Sequence, residues 1–68
     1  MTQGRLYFRV IERANSTWTC RRGRKSIDHH DSRQEAVDHM TIVAAQHRPS
    51  EVVVHYSDGK VESAAKLP

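Results

Sequence analysis

The chain has 68 residues, 37% of them hydrophobic, with eleven basic and eight acidic side chains, and one cysteine. A single domain of this size buries only about 60% of its unfolded surface, and a lone cysteine excludes an internal disulfide, so a partner chain is a natural supplement and a homodimer is a reasonable expectation. The N-terminus has no apolar signal segment and no stretch reaches membrane-spanning length, which leads to the expectation of a cytoplasmic protein without membrane contact.

Charge is distributed unevenly. Residues 5–25 carry seven basic side chains against Glu12 alone, whereas residues 26–68 carry four basic and seven acidic ones. Such a field can steer an anionic partner, or bring two copies together basic end to acidic end.

In chain order, Met1 to Gly4 is expected to be a loose end. Arg5 to Arg13 is rich in aromatic and β-branched residues and is expected to form a strand. Leu6, Phe8 and Val10 share one of its faces, and Tyr7, Arg9 and Ile11 the other. Ala14-Asn15-Ser16 forms a turn, with Asn15 the residue suited to positive φ. Thr17 to Arg22 is a second strand. A three-residue loop is expected to set Trp18 opposite Val10, which gathers the largest apolar set; one residue of slip reverses the faces. Gly23 to Asp31 is polar and is expected to be a connector.

Ser32-Arg33-Gln34-Glu35 has the form of a capping box and opens a helix that runs to His47, where Arg48-Pro49 stops it. Ala36, Val37, Met40, Val43 and Ala44 fall on one apolar arc, and Ile42 lies off it. Glu51 to Tyr56 is the third strand. Ser57-Asp58-Gly59-Lys60 predicts a two-residue type I′ turn that pairs Tyr56 with Val61, His55 with Glu62 and Val54 with Ser63. Val52, Val54, Tyr56 and Val61 then face the helix, Val53, His55 and Glu62 face away, and Ala64 to Pro68 frays.

The fold class expected from this order is α+β: a ββαββ unit with a four-stranded antiparallel sheet and one helix packed on one face. It forms a single domain over residues 1–68 with an ordered core of about residues 5–63. One helix covers one face, so the other is left showing Tyr7, Arg9, Ile11, Thr19, Arg21, Val53 and His55. That face is too apolar to be purely solvated and too charged to be core.

Several stretches resemble one family. Trp18-Thr19-Cys20 is similar to its W-x-V element, Glu35-Ala36-Val37 to its helix start, and Glu51 to His55 followed by Asp58-Gly59-Lys60-Val61 to its VVVH…DGKV ending. The resemblance covers about residues 7–62 and points to small bacterial and phage proteins grouped as domain of unknown function 2188. It implies the ββαββ unit and supplies no activity, cofactor or site residue. Cys20 stands where the family prefers valine, Asp38-His39-Met40-Thr41 replaces an alanine- and arginine-rich helix centre, and the aromatic ending of some members is missing.

Candidate chemistry is sparse. Asp28-His29-His30-Asp31 offers metal-ligand types, but adjacent residues seldom converge on one ion and no second cluster has matching spacing. The run is expected to be a polar loop feeding the helix, with no metal and no cofactor. Cys20 is expected to be a small buried hydrophobe rather than a nucleophile. His55 is expected to pair with Glu62, and His39 to be solvated. Arg21, Arg22, Arg24 and Lys25 form the one run suited to phosphate contact, with Tyr7 and Trp18 as stacking surface; a solvated edge is the plainer alternative. No nucleophile, base and orienter set is visible, so no enzyme is expected. The expected function is a non-enzymatic interaction module that self-associates or binds a host protein through the uncovered face, chiefly Tyr7, Arg9, Ile11, Val53 and His55. The alternative is weak, salt-dependent nucleic-acid binding through the basic hairpin of residues 5–25.

Overall fold

The structure, a computed structural model, describes residues 4–68; Met1 to Gln3, most of the expected loose end, lie outside the described residues. The elements are β1 (Leu6–Glu12), β2 (Trp18–Arg22), β3 (Lys25–His30), α1 (Arg33–Ala44), β4 (Ser50–His55) and β5 (Val61–Leu67). They build a five-stranded sheet of order β3-β2-β1-β4-β5, with β1 and β4 parallel and every other pair antiparallel. The fold is α+β with one helix, but the expected four-stranded antiparallel sheet is corrected to a five-stranded mixed one. The added strand is β3, inside the stretch expected to connect. Gly23 (φ 59) and Arg24 turn the chain so that Arg22 pairs with Lys25. Glycine at the first centre of a two-residue turn is what a type II′ hairpin requires. β3 has a single apolar residue, Ile27, and among the described residues its outer edge is unpaired; a short polar edge strand carries little alternation to read. Because β3, β1 and β4 run the same way, the chain must return along its own length between β3 and β4, and α1 makes that return.

The capping prediction holds in its forward half: Ser32 is the N-cap and its Oγ accepts from the Glu35 amide at 3.1 Å. The helix ends at Ala44 rather than His47. There the hydroxyl of the buried Ser50 donates to the Ala44 carbonyl at 2.7 Å, and the Gln46 and His47 amides reach back only three residues, to Val43 and Ala44. The predicted arc packs on the sheet. Ala36, Val37, Met40 and Ala44 are buried against Phe8, Val10, Cys20, Val52 and Val54, with Val43 partly buried, while Ile42 is 64% exposed.

Both hairpins at the helix-covered strands use one device. In the first, the Arg13 amide donates to Thr17 O and the Ser16 amide to Arg13 O; in the second, Tyr56 donates to Lys60 O and Gly59 to Tyr56 O. Each is a three-residue loop whose last residue takes positive φ, Ser16 at 65° and Gly59 at 93°. Ser16, not Asn15, therefore occupies the left-handed position; Asn15 Oδ1 instead accepts from the Thr17 hydroxyl at 2.6 Å. The expected pairing of Trp18 with Val10 is corrected: Val10 pairs with Cys20 and Trp18 with Glu12. Trp18 stays on the expected face but at its rim, half-buried, edge-on to Tyr56 with ring centroids 5.9 Å apart.

In the second hairpin the extra loop residue shifts the register by one. His55 pairs with Val61 and Val54 with Glu62, which reverses the faces expected for Val61 and Glu62 and removes the expected His55–Glu62 pair. Type I′ needs positive φ at both centres, and Asp58 does not adopt it. A bulge between Val52 and Val53 then restores the alternative register, so Val52 pairs with Ala65 and Ser50 with Leu67. Residues expected to fray thus form the end of β5, with Ala64, Ala65 and Leu67 packed on the core.

Candidate interaction face and a polar cluster under the helix

Strand alternation keeps the predicted bare-face residues together. The β1 residues Tyr7, Arg9 and Ile11 stand beside Glu51, Val53 and His55 of β4, pair by pair, and Thr19 and Arg21 flank Ile11 and Arg9 from β2. The corrected register adds Val61 and Ser63. A shallow groove results, with β4 as its floor between walls from Tyr7 and Arg9 on one side and Val61 and Ser63 on the other. Tyr7 and Val61 are 53% and 56% exposed.

The charge on this face is one-sided. Arg9 and Arg21 lie directly opposite one another across β1 and β2. Like charges so placed repel unless something anionic intervenes. Arg21 Nη2 donates to Arg24 O at 3.2 Å, and its buried Nε has no partner among the described residues. Among the described residues, Glu51 is the one carboxylate that alternation puts here, and it is already engaged: Arg5 Nη1 lies 3.2 Å away. A hydrogen bond from Ser63, then Arg5 and Lys66, hold the Glu51 carboxyl below the usual carboxylate range.

The predicted basic run is divided. Arg21 belongs to the bare face. Arg22 points to the helix side, with its guanidinium carbon 5.7 Å from the centroid of the Phe8 ring. Arg24 and Lys25 are exposed at the turn. Arg22 gathers instead with Arg5, Tyr7 and Arg9 around a second cleft next to Gly23. Sequence proximity hid this grouping because Arg9 comes from β1 and Arg5 from the residue just before it.

The helix side carries two polar clusters that sequence reasoning missed. At one, Arg33 Nε donates to the Tyr56 hydroxyl at 2.8 Å, that hydroxyl donates to Glu62 Oε1 at 2.9 Å, and Arg33 also ion-pairs with Glu62. The Tyr56 hydrogen bond and then Arg33 hold the Glu62 carboxyl below its ordinary value. The corrected register of β5 is what delivers Glu62 to this place.

At the other, alternation splits Asp28-His29-His30-Asp31. Asp28 and His30 turn toward the helix, while His29 and Asp31 are exposed. His39, expected to be solvated, faces them: Asp28 Oδ2 lies 3.0 Å from His39 Nδ1 and 3.2 Å from His30 Nε2, and the two ring nitrogens are 3.3 Å apart. Among the described residues, Asp28 Oδ1 is buried without a hydrogen-bond partner. Cys20, opposite Asp28 on β2, is fully buried as expected and makes a long contact of 3.9 Å to Ala36 O. Burial, and then Asp28, push its thiol up to about 12, which disfavours a free thiolate nucleophile near neutral pH.

Residues 8–65 match the family described as "Uncharacterized protein conserved in bacteria (DUF2188)". The chain belongs to this family. No curated protein and no solved structure matches it. In this DUF2188 chain the ββαββ order implied by the resemblance is met with one strand added before the helix. No helix among the described residues is long and apolar enough to cross a membrane.

Proposed function

We propose that this chain is a non-enzymatic interaction module whose bare sheet face receives an acidic, partly apolar segment of a partner protein. The observation that carries the proposal is the Arg9–Arg21 pair, set directly across two strands beside an exposed groove of Tyr7, Val53 and Val61. An extended segment that alternates carboxylates with apolar side chains matches both: the carboxylates separate the two guanidiniums, and the apolar groups cover Tyr7 and Val61. Self-association of this face about a twofold axis through the arginines sets four guanidiniums together, which favours a partner of opposite charge over a second copy.

The test titrates the full chain with a synthetic peptide of alternating glutamate and leucine, observed by amide NMR. In parallel, a single-stranded oligonucleotide is titrated and sedimentation is measured across protein concentration. Shifts confined to Tyr7, Arg9, Val53, His55 and Val61, with at least a tenfold affinity loss in the double variant Arg9→Glu and Arg21→Glu, are expected. Absence of peptide binding overturns the proposal. Oligonucleotide binding that falls steeply with salt and needs Arg22, Arg24 and Lys25 assigns the basic hairpin to nucleic acid instead. A concentration-dependent dimer abolished by Arg9→Glu assigns the face to a second copy.

A further inference from the structure

The cluster under the helix faces away from the proposed interaction surface and stands on separate observations. Cys20, Asp28, His30 and His39 each offer one ligand atom, and the four atoms lie within 4.8 Å of one another. They come from three elements: Cys20 from β2, Asp28 and His30 from β3, His39 from α1. Three of the four atoms lie within about 0.3 Å of the spacing of a coordination sphere. Zinc–nitrogen and zinc–oxygen bonds of about 2.0–2.2 Å in a tetrahedron put ligand atoms about 3.3–3.6 Å apart. Asp28 Oδ2, His30 Nε2 and His39 Nδ1 are separated by 3.0, 3.2 and 3.3 Å. The sulfur lies within 4.8 Å of the others; a zinc–sulfur bond of about 2.3 Å asks for roughly 3.6 Å to the nitrogens, so Cys20 must close by about 1.2 Å at most.

Two features of the cluster are poorly served by protein atoms alone. Two imidazole nitrogens point at one another and at the same carboxylate oxygen, so their protons and lone pairs converge on one small space. The other oxygen of Asp28 is buried without a hydrogen bond among the described residues. A cation at the convergence point takes both ring lone pairs and one carboxylate oxygen at once.

We propose that Asp28, His30, His39 and Cys20 form a tetrahedral site for a divalent transition metal of the zinc class. The two imidazoles and the sulfur favour a d-block ion over Mg2+ or Ca2+, which prefer oxygen. On binding, the Cys20 Sγ–H bond gives its proton to solvent and the sulfur forms the fourth bond to the metal. The contact to Ala36 O is given up. With four protein ligands the sphere is closed, so the site is structural. It ties the short polar edge strand β3, whose Ile27 is 37% exposed, to both β2 and α1. A metal is one of the supplements that a domain of this size uses.

The test begins with the chelator-treated full chain and adds Zn2+ alone, followed by calorimetry and thermal melting, then Co2+ alone, followed by visible absorption. Binding of one Zn2+ per chain is expected, with a rise in Tm that grows with free Zn2+. Co2+ is expected to give the intense bands of tetrahedral coordination and a thiolate charge-transfer band. His39→Gln, at a half-buried position on the helix, should keep the fold and lose the binding, the Tm rise and the Co2+ bands. Absence of saturable one-to-one binding overturns the site and leaves a hydrogen-bonded Asp28–histidine network. So does binding that survives in His39→Gln, which places the ion on the other histidines. Tetrahedral bands without charge transfer, or with charge transfer that persists in Cys20→Ala, overturn the place of Cys20. Folding of each variant is checked by far-UV circular dichroism.

Discussion

Helix α1 presents two large apolar side chains two residues apart, and the fold gives them opposite fates. Met40 is fully buried in the cluster that includes Phe8, Val10, Val52 and Val54, whereas Ile42 is 64% exposed. Met40→Ala removes a side chain whose loss from a packed core costs about 2–5 kcal/mol, the transfer free energy of the deleted atoms plus the cavity left behind. At roughly 0.05–0.15 kcal/mol per residue, a chain of 68 residues has a total stability of about 3–10 kcal/mol. The truncation therefore consumes a large share of the total and is expected to leave a marginal fold. Ile42→Ala deletes a similar number of atoms from a site already in water. It is expected to change stability by less than about 0.5 kcal/mol, since alanine's better helix propensity offsets the lost contact. Urea unfolding followed by far-UV circular dichroism, with m compared between variants, measures both. Equal losses in the two variants, or the larger loss in Ile42→Ala, refute the placement of the helix on the sheet.

Ser32→Ala should cost about 1 kcal/mol by removing the Oγ acceptor of the Glu35 amide, read as a drop of roughly 4–8 °C in Tm; an unchanged Tm shifts the helix start. Gly59→Ala places a Cβ in open space but at a φ of 93°, so backbone strain alone should cost about 1 kcal/mol or more, with Gly59→Asn milder. An unaffected melt in Gly59→Ala contradicts the three-residue loop. Glu62 supplies a pH dependence. Its carboxyl is lowered in the fold, so the folded state binds fewer protons than the unfolded one. Its contribution is complete above the unfolded value of about 4.3 and is lost as pH falls through the folded value. Glu62→Gln should therefore lower the urea midpoint at neutral pH and flatten its decline below about pH 4.3, and an identical acid limb in the variant speaks against the Tyr56–Glu62–Arg33 contact.

Signals that act within a few residues were legible in the chain. Ser32 opens the helix because its hydroxyl needs only the amide three residues on, and the apolar arc from Ala36 to Ala44 needs only helical spacing. The turn at Ala14 to Ser16 and the reversal at Asp58-Gly59 were also local. The membership of the bare face followed from alternation along β1, β2 and β4, which is why Tyr7, Arg9, Ile11, Thr19, Arg21, Val53 and His55 remain together.

Tertiary structure decided whatever depended on a neighbour distant in sequence. One residue more in the second loop exchanged Val61 and Glu62 between faces, because side chains alternate with period two and a single step inverts them. β3 is a strand because β2 offers it an edge, and β1 lies parallel to β4 because the helix returns the chain between them; neither is encoded in the composition of the segment itself. The cluster of Cys20, Asp28, His30 and His39 is of the same kind. The sequence showed four adjacent polar residues, 28–31; the pleat sent His29 outward, and Asp31, past the end of β3, is exposed. The fold replaced those two with a cysteine from β2 and a histidine from the helix, because packing an edge strand under a helix brings together side chains that no linear spacing places side by side.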